Sequence, residues 1–141
     1  LSGTTIETVC GGHNGIETRL AVTYAKLAAT GRITLERFAA ITSSNAAKIL
    51  GMYPRKGAIA VGSDADIVLF DPNLRKRLKL SDLHSDADYS IWEGFQCLGY
   101  PVATILRGKV IMENGRLTGS TSDGQWLSRK IAPRFLAQPA C

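Results

Sequence analysis

The first part of the chain has the apolar spacing of helices. Apolar and alanine-rich positions form an imperfect helical stripe over 18–30, and this pattern predicts a helix that ends at Gly31. Thr34 is predicted to cap a second helix, because its hydroxyl can accept a hydrogen bond from the first helical turn. Ser43 or Ser44 is predicted to cap a third helix. We therefore expect loop and helix up to about residue 50.

After Gly51 the apolar spacing changes to that of strands. The uninterrupted apolar run over 67–70 is mostly β-branched or aromatic and carries no charge, which predicts a buried strand. This strand is expected to stop at the pair Asp71-Pro72. A polar-apolar alternation follows over 77–80, and a short strand is predicted over 89–92.

A β-hairpin is predicted near the end of the strand-forming part. Its strands lie over 102–106 and 109–112, and a second turn follows them. The turn residues are Arg107-Gly108 and Asn114-Gly115. The remainder, 118–141, is rich in Gly, Ser and Pro and is expected to be a tail that needs a surface to lie on.

The two parts do not have the size of two complete domains. Three short helices bury little surface by themselves, and four or five short strands leave a sheet with exposed edges and an uncovered face. We therefore expect an α+β chain that completes a larger body.

Composition excludes several classes of protein. Of the 141 residues, 45% are hydrophobic and 21% are charged, which is typical of a globular protein and not of a disordered one. No apolar run approaches the roughly 20 residues of a membrane span, so we expect no membrane partner and a cytoplasmic location. The three cysteines are an odd number without paired spacing, which favours reduced thiols over a disulfide framework.

A formal net charge of +5 raises the question of nucleic-acid binding. The densest basic cluster consists of Arg75, Lys76, Arg77 and Lys79, with no aromatic residue between them to stack on bases. Basic residues on an edge strand discourage aggregation, so we interpret the cluster as a solvated edge strand and expect no nucleic-acid partner. A free-standing basic module would instead bind with a steep salt dependence.

Candidate catalytic side chains are sparse. The two histidines, His13 and His84, have no second metal ligand at the usual spacing and are interpreted as surface or capping residues. Asp64 and Asp66 lack the further ligands of a calcium loop and are interpreted as turn and strand-entry residues. The glycine-rich loop over 11–15 lacks the Lys and Ser/Thr of a P-loop, but its glycines allow the main chain to approach a neutral ligand.

Four stretches, in this order, resemble one enzyme family. GGHNGIETRL resembles the loop and helix start after the last barrel strand of dihydropyrimidinases and D-hydantoinases, which are cyclic amidohydrolases. ITSSNAAKILGMYPRKGAIAVGSDADIVLFDP resembles their helix and their re-entry into a small β-sandwich domain. YSIWEGFQCLGYPVATILRGKVIMENGRL is similar to their closing strands, and GQWLSRK to their subunit-contacting tail.

The resemblance implies a domain organisation and an activity. It implies the last helices of a (β/α)8 barrel over 1–50, strands of the β-sandwich over 51–117, and a subunit-contacting tail over 118–141. The family hydrolyses the ring amide of small cyclic ureides, such as dihydrouracil and hydantoins. Its members are expected to be homo-oligomers, dimers or tetramers.

The family's metal site also bears on what this chain can do. Two zinc ions, bridged by a carboxylated lysine, are held by four histidines and an aspartate, and metal-bound hydroxide attacks the ring carbonyl. A chain with two histidines cannot supply four. The resemblance therefore implies a C-terminal portion that binds no zinc, is inactive alone, and has the remainder of its own amidohydrolase chain as a partner.

One substrate contact is implied as well. In the family, the residue before the second glycine of the loop contacts the substrate ring through its main chain, and here that residue is Gly11. Cys10 stands where many relatives have Pro. Glu17 and Arg19 match the family's helix start, where structural pairing is expected and not catalysis.

Two interpretations of the whole protein remain. The first is a zinc-dependent cyclic amidohydrolase, of which this chain is the C-terminal segment. The second is a non-catalytic dihydropyrimidinase-related scaffold protein, a branch that keeps this region and lacks the metal ligands. The stretches NGIE and YPRKG occur in both branches, so only residues upstream of this chain would discriminate them.

Overall fold

The computed structural model describes Thr5, Gly12 and residues 14–133. Within these residues the protein forms two continuous helices and one antiparallel sheet, which confirms the α+β prediction. Helix α1 consists of an α-helical turn, Arg19–Thr23, and a π-helical turn, Tyr24–Ala28. Helix α2 consists of Leu35–Ala39, a π-helical turn at Ala40–Ser44, and Asn45–Ile49.

The predicted starts and ends of the helices are confirmed in part. Gly31 follows α1 with a φ of 71°, a left-handed conformation that glycine adopts without steric cost. The Thr34 side chain accepts a hydrogen bond from the Arg37 N–H at 3.2 Å, so Thr34 caps α2 as expected.

The predicted third helix is wrong as a separate element. Ser44 has helical φ and ψ of −67° and −35° and makes no side-chain cap, and α2 continues through Ser43 and Ser44. The neighbouring Thr42 hydroxyl donates to the Phe38 carbonyl at 2.7 Å, which satisfies it inside the helix. A run of Thr and Ser can therefore lie within a helix as well as at its start.

Four strands form the sheet in the described residues, in the order β1-β2-β3-β4. Their bounds are Ile67–Arg77 for β1, Gln96–Leu106 for β2, Lys109–Glu113 for β3 and Arg116–Leu117 for β4. All neighbours are antiparallel, and β1 pairs with β2 from Ile67 opposite Ile105 to Arg77 opposite Gln96.

The prediction that β1 stops at Asp71-Pro72 is wrong. Asp71 lies opposite Tyr100 and Arg75 lies opposite Leu98, so the β1 residues between them bulge out against Gly99 alone. A bulge tolerates Pro72, which has no N–H to give to the ladder. The strand therefore continues through the proline instead of ending there.

Two further strand predictions are also corrected. Val68 and Leu69 are 45% and 50% exposed in this chain, so the apolar start of β1 is not buried here. The segment 89–92 is no strand but leads into a turn, in which the Phe95 N–H donates to the Trp92 carbonyl at 3.0 Å. The polar-apolar alternation over 77–80 contributes only its first residue to a strand, because β1 ends at Arg77. A short 3-10 turn follows at Leu80–Asp82.

The hairpin prediction is confirmed. Both turns have positive φ at both central residues, which matches the right-handed twist of the paired strands. These residues are Arg107 at 47°, Gly108 at 83°, Asn114 at 49° and Gly115 at 79°. Among the described strands β1 lies at a sheet edge, as expected for its basic residues.

The core lies where α1 meets the sheet. Its buried members are Ala21, Val22, Leu78 and Cys97, and Trp92, Phe95 and Tyr100 pack against them. Gly99 has a φ of 87°, and a side chain there would lie 2.3 Å from the Tyr24 ring. The glycine in β2 thus allows the aromatic cluster of Tyr24 and Phe70, with ring centroids 4.7 Å apart, to lie directly on the strand.

After β4 the chain turns back across the molecule. Asp123 in the 3-10 turn Thr121–Asp123 accepts two hydrogen bonds from Lys109, at 2.8 and 2.9 Å. Farther on, the Lys130 N–H donates to the Gly51 carbonyl at 3.3 Å. The described part of the tail therefore contacts the start of β3 and the end of α2. The domain boundaries at 50 and 117 stay predictions.

Candidate functional site

The glycine-rich loop leads directly into α1. The Arg19 N–H donates to the Gly15 carbonyl at 3.0 Å, which begins the helix, and Thr18 is buried with 2% of its surface exposed. The structure describes Gly12, Asn14 and Gly15 of this loop, and residues 16–18 join it to α1. The predicted substrate contact Gly11 lies outside the described residues, as do Cys10 and His13.

Glu17 is held by a residue far away in the sequence. Its Oε2 accepts a hydrogen bond from the His84 backbone N–H at 2.8 Å, and its Oε1 lies 3.0 Å from His84 Nδ1. Structural pairing was expected for Glu17, but nothing in the sequence indicated His84 as its partner. Both side chains are partly exposed, at 36% for Glu17 and 46% for His84.

A second contact joins the same two segments. The Tyr89 hydroxyl donates a hydrogen bond to the Gly12 carbonyl, across 77 positions of the chain. Sequence reasoning missed Tyr89, because it assigned that region to a strand. Tyr89 and His84 are separated by the same number of positions as Gly12 and Glu17, and the two segments run antiparallel.

An open cleft of about 440 Å³ lies between these segments. It is lined by Asn14, Gly15, Ile16, Glu17 and Thr18 on one side and by Leu83, His84 and Ser85 on the other. Ile16 is 86% exposed at this place, so an apolar side chain and main-chain groups of a glycine-rich loop are both accessible. An apolar side chain beside a few polar groups is the kind of lining found in small-molecule sites.

A carboxylate cluster lies beside the hairpin. Lys56 Nζ is 2.8 Å from Asp64 Oδ2 and also bonds Asp66, while Arg55 Nε donates to Asp64 at 2.9 Å. The Arg107 backbone N–H donates to Asp66 Oδ1 at 2.8 Å. We call Arg55, Lys56, Asp64, Asp66 and Arg107 the carboxylate cluster.

The cluster's charges are set by these contacts. Hydrogen bonds from Lys56 lower the pKa of Asp64. Partial burial opposes the charge of Asp66, but the Lys56 and Arg107 hydrogen bonds outweigh it and lower its pKa. Burial likewise opposes the charge of Lys56, and its two aspartate partners outweigh it and raise its pKa. The aspartates therefore serve as ionised turn residues, as predicted.

No group of three or more His, Cys, Asp or Glu side chains that could hold a metal ion occurs in the described part of the chain. Asp64 and Asp66 face a lysine ammonium, which a metal cation would have to displace. The described residues therefore do not fit a zinc site.

The one cysteine in the described ranges, Cys97, is buried. Burial raises the pKa of its thiol, which disfavours the thiolate that a nucleophile or metal ligand requires. Cys97 is thus a core residue. No helix among the described residues has the length and apolarity needed to cross a bilayer.

Comparison with known proteins finds a matching family model and several similar enzymes. The amidohydrolase family model matches residues 1–111. D-phenylhydantoinase of Escherichia coli O1:K1 / APEC is 43% identical over 119 residues, which are 84% of this chain and 26% of that protein. The chain thus spans about a quarter of the length of the curated relatives it matches.

Solved structures agree with this match. D-hydantoinase from Bacillus sp. AR9 shares 39% identity and a TM-score of 0.85, over 89% of this chain and 28% of that one. The L-hydantoinase (dihydropyrimidinase) from Arthrobacter aurescens shares 35% identity and a TM-score of 0.80, over 84% and 26% of the two chains. The resemblance that the sequence indicates is therefore confirmed.

Proposed function

Because this chain belongs to the amidohydrolase family, we propose that it is the C-terminal segment of a zinc-dependent enzyme that hydrolyses the ring amide of dihydropyrimidines or hydantoins. The identity with D-phenylhydantoinase over most of the chain is the observation that carries this proposal. In the reaction the ring C–N bond breaks, the carbonyl carbon takes a hydroxyl from water, and the nitrogen takes the proton.

The chain is proposed to supply the rim of the substrate site and not its metal centre. The described residues offer no metal-binding group, and the two histidines of the whole chain are fewer than the four that the resemblance implies. The zinc ligands are therefore assigned to a part of the enzyme outside this chain. The glycine-rich loop is assigned to the substrate, with the Gly11 main chain in contact with the ring. The open cleft supports a ligand-facing role for this loop, because Asn14 and Gly15 line it.

The last helices of the barrel and part of the β-sandwich are the structural roles proposed for this chain. Their support is the likeness to hydantoinase structures over most of its length. Val68 and Leu69, half-exposed at the start of β1, are the side chains that further sandwich strands would cover.

The tail is proposed to contact another subunit of a dimer or tetramer. Trp126, at 87% exposure, is a large aromatic side chain of the kind enriched at interfaces. Light scattering of the native protein checks this assignment: a monomer would contradict it.

The test of the enzymatic proposal uses the native protein purified from its source. Its intact mass should be three or more times that of this chain, and it should contain zinc. It should also hydrolyse dihydrouracil or a hydantoin, followed as loss of the ring's ultraviolet absorbance. The 141-residue chain alone, supplied with zinc, should be inactive. A full-length protein without zinc and without hydrolysis would reject the enzyme and favour the scaffold alternative.

A further inference from the structure

The connection between β1 and β2 forms a closed strap, residues 78–95. At its base the Leu78 N–H donates to the Phe95 carbonyl at 2.9 Å, and the Gly94 N–H donates to the Leu78 carbonyl at 2.8 Å. The Leu80 N–H also donates to Glu93 Oε2 at 2.6 Å. These bonds join the two ends of the strap, so its middle projects from a fixed base.

The base of the strap packs on the same core as α1. Trp92 and Phe95 are in edge contact, with ring centroids 5.6 Å apart, and both pack against the buried cluster that contains Ala21 and Val22. Helix α1 follows the glycine-rich loop directly. The base of the strap and the helix that follows the loop are therefore anchored in the same core.

The middle of the strap makes two contacts, one with the glycine-rich loop and one with the residues that join the loop to α1. Tyr89 donates to the Gly12 carbonyl, and His84 bonds Glu17 through both its backbone and its ring. A glycine-rich backbone has more conformational freedom than any other, so external contacts are needed to hold its peptide planes in one orientation. The hydrogen bond to the Gly12 carbonyl fixes the plane of the peptide that follows Gly12, which is the second residue of the loop.

The geometry points to Tyr89 and His84 as positioning residues, which hold the glycine-rich loop in the orientation that binds the substrate ring. This inference rests on the proposed function. Main-chain hydrogen bonds to a ring are directional, so a rotated peptide plane no longer meets the substrate. The strap does not touch the reacting atoms. It holds the loop, and the loop binds the ring equally before and during the reaction.

The test is a Tyr89→Phe variant of the native protein, with Tyr53→Phe as the matched control. Tyr53 is 47% exposed, and the contact found for its ring, with Lys48, is kept by phenylalanine. Tyr89→Phe removes the hydrogen bond that fixes the loop, so it should raise KM for dihydrouracil or a hydantoin about 2- to 12-fold. The kcat should stay within about twofold, because uniform binding affects KM alone.

His84→Ala gives a second, independent variant. It removes the ring contact and leaves the backbone N–H that donates to Glu17, so its rise in KM should be smaller, at most about threefold. Hydrogen exchange of the Gly12–Glu17 amides should become faster in Tyr89→Phe while exchange in β2 does not change. Tyr53→Phe should alter neither readout.

The outcomes separate the inference from the proposed function. A wild-type protein that hydrolyses neither substrate overturns the proposed function and this inference with it. If the wild type is active but Tyr89→Phe and His84→Ala keep its KM and its exchange pattern, the positioning role is wrong and the proposed function stands. A fall in kcat with unchanged KM also overturns the positioning role.

Discussion

The carboxylate cluster and the two contacts of the glycine-rich loop use similar side chains over very different spans of chain. Lys56 and Asp64 are near in sequence, and their side chains are only 16% and 18% exposed. Glu17 and His84 are 67 positions apart and are 36% and 46% exposed. Water competes for the second pair far more than for the first.

This difference assigns different roles to the two regions. A partly buried ion pair with several hydrogen bonds contributes to stability, whereas an exposed pair contributes little and is weakened by salt. The cluster ties the turn after α2 to the β2–β3 hairpin through Asp66 and Arg107. The loop contacts instead orient a flexible backbone, an effect that is expected in binding and not in stability.

The largest effect is expected from Gly57→Ala, which disturbs the cluster through the backbone next to Lys56. Gly57 has a φ of 78°, and an added Cβ would lie 2.6 Å from the Ala47 Cβ and 3.0 Å from the Ser44 Cα. Backbone strain and overpacking together should cost about 3–5 kcal/mol. Hydrogen exchange of the Asp64 and Gly108 amides in the native protein measures this as a lower opening free energy.

Gly62→Ala is the control for this variant. Gly62 has a φ of 90° but no atom within 4 Å of an added Cβ, so the change adds backbone strain without a clash. Gly62→Ala should lower the opening free energy by about 1 kcal/mol. If both variants lowered the opening free energy equally, the clash of the Gly57→Ala side chain with Ala47 and Ser44 of α2 would make no contribution.

Next in size is Lys56→Met, which removes the ammonium between Asp64 and Asp66. The two carboxylates would then repel each other, although Arg55 and the Arg107 N–H remain. The opening free energy of the turn should fall by about 1 kcal/mol. The control is Lys79→Met, which removes an exposed lysine near the end of β1 and should change the opening free energy of the turn little. A comparable fall in Lys79→Met would indicate that the change in net charge is the cause.

Acid should weaken the carboxylate cluster, because its aspartates stabilise the turn only while they are ionised. The folded pKa of Asp64 and of Asp66 lies below the ordinary 3.8, so their stabilising effect is present above that value and is lost as pH falls through the folded pKa. Lys56 acts at the alkaline end of the pH range, because its folded pKa is raised. Its stabilising effect is complete below 10.5 and is lost as the pH rises through the folded pKa. Hydrogen exchange of the Arg107 amide at pH 7, 4 and 3 should therefore show a falling opening free energy, with a smaller fall in Lys56→Met.

Local chemistry explains why some elements could be predicted from the sequence. The Thr34 cap and the turn pairs Arg107-Gly108 and Asn114-Gly115 depend on residues adjacent in the chain. Asp64 and Asp66 were predicted as turn and strand-entry residues from their neighbours in the sequence, although their pairing with Lys56 was not predicted. The bulge at Pro72 could not be predicted in the same way, because it depends on the β2 residue that lies opposite, Gly99.

The strap shows the limit more clearly. Ser90 and Trp92 lie in a stretch with the composition of a strand, but no partner strand reaches it among the described residues, and tertiary contacts decide its shape. Contacts such as Tyr89 with Gly12 leave no periodic signal in the sequence. The resemblance to a family indicated the loop as a substrate contact, while the residues that hold the loop required the structure.

The smallest effect on stability is expected from His84→Ala. The Glu17–His84 pair is exposed, and its backbone hydrogen bond survives the substitution, so the opening free energy of α1 should change by less than about 0.5 kcal/mol. The same variant should still raise KM. Urea-dependent hydrogen exchange of the α1 amides, measured beside KM, checks both halves of this expectation. A loss as large as that of Lys56→Met would remove the distinction, because the loop contacts would then stabilise the fold in the same way as the carboxylate cluster.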